Sequence, residues 1–211
     1  MKISETTILP TLSCRLLLVN WLHIDEYNNM LELNINYYNF SKEDLLLGII
    51  NLEQLSRQDM MNWYINMYCQ QLITYPRLEL FDYINGNIEI LKTLNIKSNL
   101  LEYQYNEDEV KKLKDFCNTP KDTDVIMVGC MSSDHRMNIY NSLLNSGIHV
   151  KMMSDLWNDA RDIEIAKAKI LLNIHYMPDY KYFESLRCNR WIYANKLVIS
   201  ETSMDLSLIH I

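Results

Sequence analysis

Glycine and proline are scarce in this chain, four of each in 211 residues. The three closely spaced glycines of a dinucleotide-binding loop are therefore missing. No apolar run approaches the roughly 20 residues that span a bilayer. The N-terminus carries Glu5 and no sustained apolar core after Lys2, which makes it a poor signal peptide. Basic residues are outnumbered, 20 Lys and Arg against 27 Asp and Glu, for a net charge of −7. With no basic block besides, binding to the phosphate backbone of nucleic acid has no support. Five cysteines (Cys14, Cys69, Cys117, Cys130, Cys188) are odd in number and far apart. That argues for reduced thiols rather than a disulfide frame or a zinc site, and the expected setting is cytoplasmic.

What is present suits a folded core: 48% of residues are hydrophobic and 22% charged. Asn, Ile, Tyr and Lys are abundant, the mark of an AT-rich coding bias. The most legible stretch runs from Glu164 to Glu201. Two short apolar runs, Ile170 to Ile174 and Leu197 to Ile199, each end in polar residues, and a helix-length segment, Tyr182 to Asn195, separates them. Asp162 to Ala168 reads as a preceding helix. Upstream, Val125 to Gly129 is a buried strand, Arg136 to Asn145 a helix with Gly147 as its C-cap, and His149 to Met152 the next strand. Helix–strand alternation with strands apolar on both faces predicts a parallel sheet. Val125–Val128, Ile170–Ile174 and Leu197–Ile199 are expected to be parallel neighbours in it.

Earlier in the chain, Arg15 to Leu22 and Leu45 to Leu52 read as buried strands, and Leu31 to Tyr38 as an edge strand. Ser41 to Asp44 reads as a capped helix or turn start. Gln58 to Leu72 is a helix whose stripe Met60, Trp63, Met67 belongs in a core. Leu78 to Tyr83 and Leu100 to Tyr105 read as strands, Asn85 to Leu94 and Glu107 to Cys117 as helices. Asn118 to Asp124, polar and proline-bearing, marks a domain boundary.

Ligands of such sheets bind beyond the carboxyl ends of the strands. Gly129, Ser132 and Ser133 stand at a strand-to-helix turn where backbone N–H groups and a helix dipole favour a phosphate, with Arg136 in the first helical turn. The same residues also suit a tight turn capped by serine. Asn173 and His175 follow the central strand, either lining a cleft or simply buried and hydrogen-bonded. Glu184 and Arg187 either face a ligand or pair as an i, i+3 surface bridge. Asp122 and Asp124 form a DxD that suits a metal ion, but they precede a strand where that motif normally follows one.

Phe183-Glu184 with Arg187, Ala194 to Glu201 and Leu172 to Tyr176 together resemble the second half of a GT-B glycosyltransferase, of the group-1-like kind found in giant viruses and some bacteria. The resemblance extends diffusely from about residue 45 to 205 and includes Phe81-Asp82-Tyr83 with Asn87. It implies an α/β, GT-B-like fold of two Rossmann-type parallel-sheet halves. It implies transfer of a sugar from a nucleotide diphosphate sugar to a glycan, protein or lipid acceptor, with no metal or other cofactor. On this resemblance His175 and Glu53 are the catalytic candidates, with Glu53 in the cleft; a helix N-terminal carboxylate is its other reading. Gly129, Ser132, Arg136, Asn173, Glu184, Arg187 and Glu201 are the donor-binding candidates. The family's paired glutamates about eight residues apart are missing after Glu184, where Arg187 and Arg190 stand. The halves are expected at 1–118, with 1–40 the least legible part, and 119–205. Leu206 to Ile211 matches the translation of a transposon-end sequencing adapter and reads as a non-native tail, so the second half is expected to be incomplete, a truncation that could leave the chain inactive. Two rival expectations are a non-catalytic Rossmann-like binding or scaffold protein, and a metal-dependent GT-A enzyme using Asp122 and Asp124.

Overall fold

The computed structural model describes residues 15–20, 45–74, 77–130 and 132–205. The edge strand expected over Leu31 to Tyr38 lies outside them, as do Ser41 to Asp44 and the tail from Leu206. The chain divides into two units, Met1–Glu102 and Tyr103–Ile211.

In the first unit, β1 (Arg15–Asn20), β2 (Leu45–Asn51), β3 (Leu78–Asp82) and β4 (Ser98–Leu100) form one parallel sheet in the order β1-β2-β3-β4. Helices α1 (Gln58–Thr74) and α2 (Asn85–Thr93) make the crossovers after β2 and β3, since parallel strands cannot be joined by a hairpin. Ile49 and Leu80 from the strands, Tyr64 and Met67 from α1 and Leu91 from α2 close the core. Trp63, expected inside, is 48% exposed. The buried face of α1 is centred on residues 60, 64, 67 and 68, and position 63 falls at its border by the 100° step of the helix. The strand expected from Leu100 to Tyr105 stops at Leu100; Leu101 N–H still donates to Asp82 O at 2.8 Å, and the chain then leaves the sheet.

In the second unit, β5 (Thr123–Val128), β6 (Val150–Met153), β7 (Ala168–Asn173) and β8 (Leu197–Ser200) pair in the order β6-β5-β7-β8, all parallel. The three strands expected to be neighbours are neighbours. Helices α3 (Glu107–Cys117), α4 (Asp134–Asn145), α5 (Asn158–Lys167) and α6 (Ser185–Tyr193) alternate with them. Side chains of β5 divide by the two-residue period. Ile126 faces Leu113, Ile165 and Trp191 of α3, α5 and α6, whereas Val125 and Met127 face Ile139 and Leu143 of α4. Burying one such aliphatic side chain contributes about 1.5–3 kcal/mol. Asn106 caps α3 by accepting from Glu109 N–H at 3.0 Å, and three acidic residues occupy the first turn, where the helix dipole favours them.

The boundary expected at residues 118/119 is corrected by this core. Leu113 is fully buried among residues of the second unit, so α3 belongs there. Asn118 to Asp124 is an ordinary loop into β5, fastened by Lys121 Nζ, which donates to Cys117 O and Ala166 O at 2.8 and 2.6 Å. A loop between elements and a loop between domains carry the same polar, proline-bearing signature. The protein is thus α/β with two parallel, Rossmann-like sheets. No helix among the described residues is long and apolar enough to cross a membrane.

Candidate functional site

At the carboxyl edge of the second sheet, β5 gives way to Gly129, whose N–H donates to Met153 O at 3.0 Å. Its φ is +135°, a region side chains rarely enter, and an added Cβ would lie 2.6 Å from Arg136 Nη1. Ser133 then caps α4, its Oγ accepting from Arg136 N–H at 3.2 Å. The same hydroxyl donates to Tyr176 O, and Ser132 Oγ meets Tyr176 Oη at 3.0 Å and Cys130 Sγ at 3.1 Å. The turn after β5 is therefore stapled to the segment after β7. The hydrogen bond with Ser132 also holds the exposed Cys130 thiol below its ordinary range.

Arg136 was expected to be a grip for a diphosphate. It is instead a buried strut: Nε and Nη2 donate to Ile174 O at 3.0 and 2.9 Å, and Nη1 donates to Cys130 O at 3.0 Å. Its guanidinium also lies 5.6 Å from the Tyr176 ring centre. Burial, then the nearby charge of Arg187, pushes its pKa down, though a guanidinium stays protonated. The charge of Glu184 acts in the opposite sense and raises it.

Arg187, in the first turn of α6, is half-buried and donates from Nη1 to Asn173 Oδ1 at 3.2 Å. Among the described residues it pairs with no carboxylate, so the surface bridge to Glu184 is not its role. Asn173, fully buried, is oriented for it by donating from Nδ2 to Ser200 Oγ at 3.0 Å. Glu184 precedes α6, its carbonyl accepting from Arg187 and Cys188 N–H, and its charge acts on Arg136. Glu201, beyond β8, is already engaged: Oε2 accepts from His175 N–H at 2.7 Å and Oε1 meets His135 Nε2 at 2.7 Å. His135 escaped the sequence reading, because nothing local to it signals a partner 66 positions away. His175 is buried, with Nε2 3.2 Å from Ser203 Oγ.

Seven of the nine candidates, Gly129, Ser132, Arg136, Asn173, His175, Arg187 and Glu201, stand in this connected edge, with Glu184 at the start of α6 beside it. Glu53 belongs to the first unit. It is not the N-terminal carboxylate of a helix, since α1 begins at Gln58. Its backbone is fixed by a buried network: its N–H donates to Asn51 Oδ1 at 3.0 Å, and its carbonyl accepts from Asn51 Nδ2 and Asn87 Nδ2, both at 2.8 Å. Both amides also donate to Asp82 Oδ2, at 2.7 and 3.0 Å. Burial outweighs those bonds and pushes the Asp82 carboxyl up to about 6. The phrase Phe81-Asp82-Tyr83 with Asn87 is the sequence trace of this network.

Asp122 and Asp124 sit at the amino end of β5, the opposite edge of the sheet. Asp124 is taken up by Lys169 Nζ at 2.6 Å and His149 N–H at 3.2 Å, and Asp122 accepts from Thr123 Oγ1 at 2.9 Å. Nothing in that geometry favours a shared cation.

No family model matches the chain. Sequence similarity connects it to three proteins of Acanthamoeba polyphaga mimivirus. It is 33% identical to uncharacterized protein L137 over 93% of this chain and 27% of that protein. It is 35% identical to uncharacterized protein L138 over 74% of this chain and 17% of that one. With uncharacterized protein L140 the identity is 33%, over 74% of this chain and 49% of the relative. The chain is a homologue of these giant-virus proteins and spans no more than half the length of any of the three.

Proposed function

We propose that the protein is a glycosyltransferase of the GT-B kind, moving a sugar from a nucleotide diphosphate sugar to a glycan, protein or lipid hydroxyl. The donor diphosphate takes the carboxyl edge of the second sheet. The observation that carries this reading is Arg187: a half-buried guanidinium with no carboxylate partner among the described residues, oriented by buried Asn173 and close to the charge of Arg136. In such a site the α4 N-terminus and Arg187 offset the charge developing on the departing diphosphate, a role a metal fills elsewhere. Arg136 acts indirectly, by fixing Ile174 O and Cys130 O on either side of the turn.

Calorimetric titration with UDP and GDP tests the proposal. Arg187→Ala is expected to raise Kd by about 10- to 150-fold, the equivalent of about 1.5–3 kcal/mol for a charged hydrogen bond. EDTA is expected to leave binding intact. Binding abolished by EDTA and restored by Mn²⁺ would favour the GT-A alternative with Asp122 and Asp124. A second reading, a binding module without catalysis, is supported by the internal engagement of Arg136 and Glu201. Nucleotide binding without sugar transfer or nucleotide-sugar hydrolysis in the full-length protein would favour it.

A further inference from the structure

Helices α5 and α6 follow β6 and β7, so both begin at the carboxyl edge of the second sheet. Arg161 is the fourth residue of α5 and Arg187 the third of α6. The helices are joined just below these two residues. Arg190, one turn after Arg187, donates from Nη1 and Nη2 to the two oxygens of Asp162 at 3.1 and 2.8 Å. That contact sets Arg161 and Arg187 at one level, each a step nearer the edge than the pair that joins the helices. Glu109 completes the cluster: one oxygen meets Arg190 Nη2 at 2.8 Å and the other accepts from Tyr103 Oη. Both carboxylates therefore close on Arg190. Arg161 is left with Asp162 Oδ1 at 3.7 Å, beyond hydrogen-bond distance, and its Nε is buried with no hydrogen-bond partner among the described residues. Buried polar atoms nearly always have a partner, so a guanidinium without one asks for an explanation. The side chain is still 28% exposed, which leaves it open to a ligand from solvent. Burial pushes the pKa of Arg161 down; the charge of Asp162 raises it, and those of Arg190 and Arg187 lower it.

Resting on the nucleotide-sugar reading above, we propose that Arg161 and Arg187 form a two-armed clamp that takes the two phosphates of the donor, one on each guanidinium. A guanidinium has five N–H donors and no acceptor, and its fork matches the oxygens of a phosphate. Arg187 spends one of these donors on Asn173, and Arg161 spends none within hydrogen-bond distance. Two such groups on neighbouring helices fit a ligand whose charge is spread over two linked phosphates. A monophosphate fills one arm only. The clamp thus selects a nucleoside diphosphate sugar over a nucleoside monophosphate sugar. Asp162 and Arg190 are positioning residues, since their bidentate pair fixes the spacing of the arms.

Calorimetry on the whole chain tests this with UDP and GDP, and with UMP and GMP measured by displacement of the matching diphosphate. Arg161→Ala and Arg187→Ala are each expected to raise the Kd of the diphosphate about 10-fold or more. Only one of the two substitutions is expected to weaken the monophosphate, because its single phosphate occupies one arm. Lys169→Ala, which removes a charge at the opposite edge of the sheet, is expected to leave Kd within about twofold, since that lysine is exposed and screened. Arg161→Lys keeps a charge beside Asp162 and loses the fork, and is expected to bind the diphosphate about threefold or more weaker. If Arg161→Ala does not fold, the lysine variant decides: wild-type affinity in it overturns the clamp. Wild-type affinity in Arg161→Ala, with Arg187→Ala still weakened, also overturns it and leaves the nucleotide site standing. So does a monophosphate weakened alike by both substitutions. Failure of UDP and GDP to bind the wild type removes the nucleotide reading and this inference with it.

Discussion

Replacing Gly129 by alanine separates the two reasons for a glycine at this turn. The added Cβ would lie 2.6 Å from Nη1 and 3.3 Å from Cζ of Arg136. The tip of an arginine ordinarily swings aside at little cost. This one is buried and tied by Nε, Nη1 and Nη2 to two backbone carbonyls. Moving it forfeits charge-assisted hydrogen bonds and strands Ile174 O, a loss of about 1–3 kcal/mol. Independently, a φ of +135° strains any side-chain-bearing residue, by about 1–3 kcal/mol. Gly129→Ala is therefore expected to cost about 2–6 kcal/mol in urea unfolding, read as a lower midpoint at constant slope. Arg136→Met removes the obstructing atoms. In that background Gly129→Ala should retain only the backbone part, so the double variant is more stable than the sum of the singles by about 1–3 kcal/mol. Additivity within about 0.5 kcal/mol would show that Arg136 does not hold the turn closed against Cβ.

Three further outcomes follow from contacts elsewhere in the protein. Arg190 grips the buried Asp162 with Nη1 and Nη2 at 3.1 and 2.8 Å and meets Glu109 at 2.8 Å. Arg190→Met leaves the buried Asp162 carboxylate with only Arg161 Nε, at 3.7 Å, and should cost up to about 3 kcal/mol; Asp162→Asn added to it should recover part of that in the same unfolding assay. Asp82 has a folded carboxyl near 6, above its unfolded value of about 3.9, so the folded state binds the proton more tightly. Its contribution is most favourable below about pH 4, declines as pH rises to about 6 and is level above, a change on the order of 3 kcal/mol; a flat difference between wild type and Asp82→Asn across that window refutes it. Arg187→Ala should weaken UDP or GDP binding and lower Tm less than Arg136→Ala, since it gives up one hydrogen bond to a buried acceptor where Arg136 gives up three.

By itself the sequence determined the α/β class and the parallel second sheet. Ile170 to Ile174 and Leu197 to Ile199 are apolar on successive residues, which only a strand covered on both faces tolerates, and helix-length segments separate them. It also placed Gly129, Asn173 and Glu201 at one edge, because parallel strands with right-handed crossovers put all their carboxyl ends there. It misplaced the boundary between the units, since polarity marks a loop without saying what the loop joins, and it turned Trp63 inward because position 63 lies at the edge of the apolar stripe of α1. Tertiary structure alone decided which candidates are free to meet a ligand. Arg136 and Arg187 look alike in sequence, each in the first turn of a helix that follows a strand. One meets the carbonyls of Ile174 and Cys130 and is consumed by them; the other meets a single amide oxygen. The bonds that tie His135 to Glu201 and Ser203 to His175 were equally invisible, because the partners follow β7 and β8 or lie in α4 and hydrogen bonds across such separations leave no local pattern.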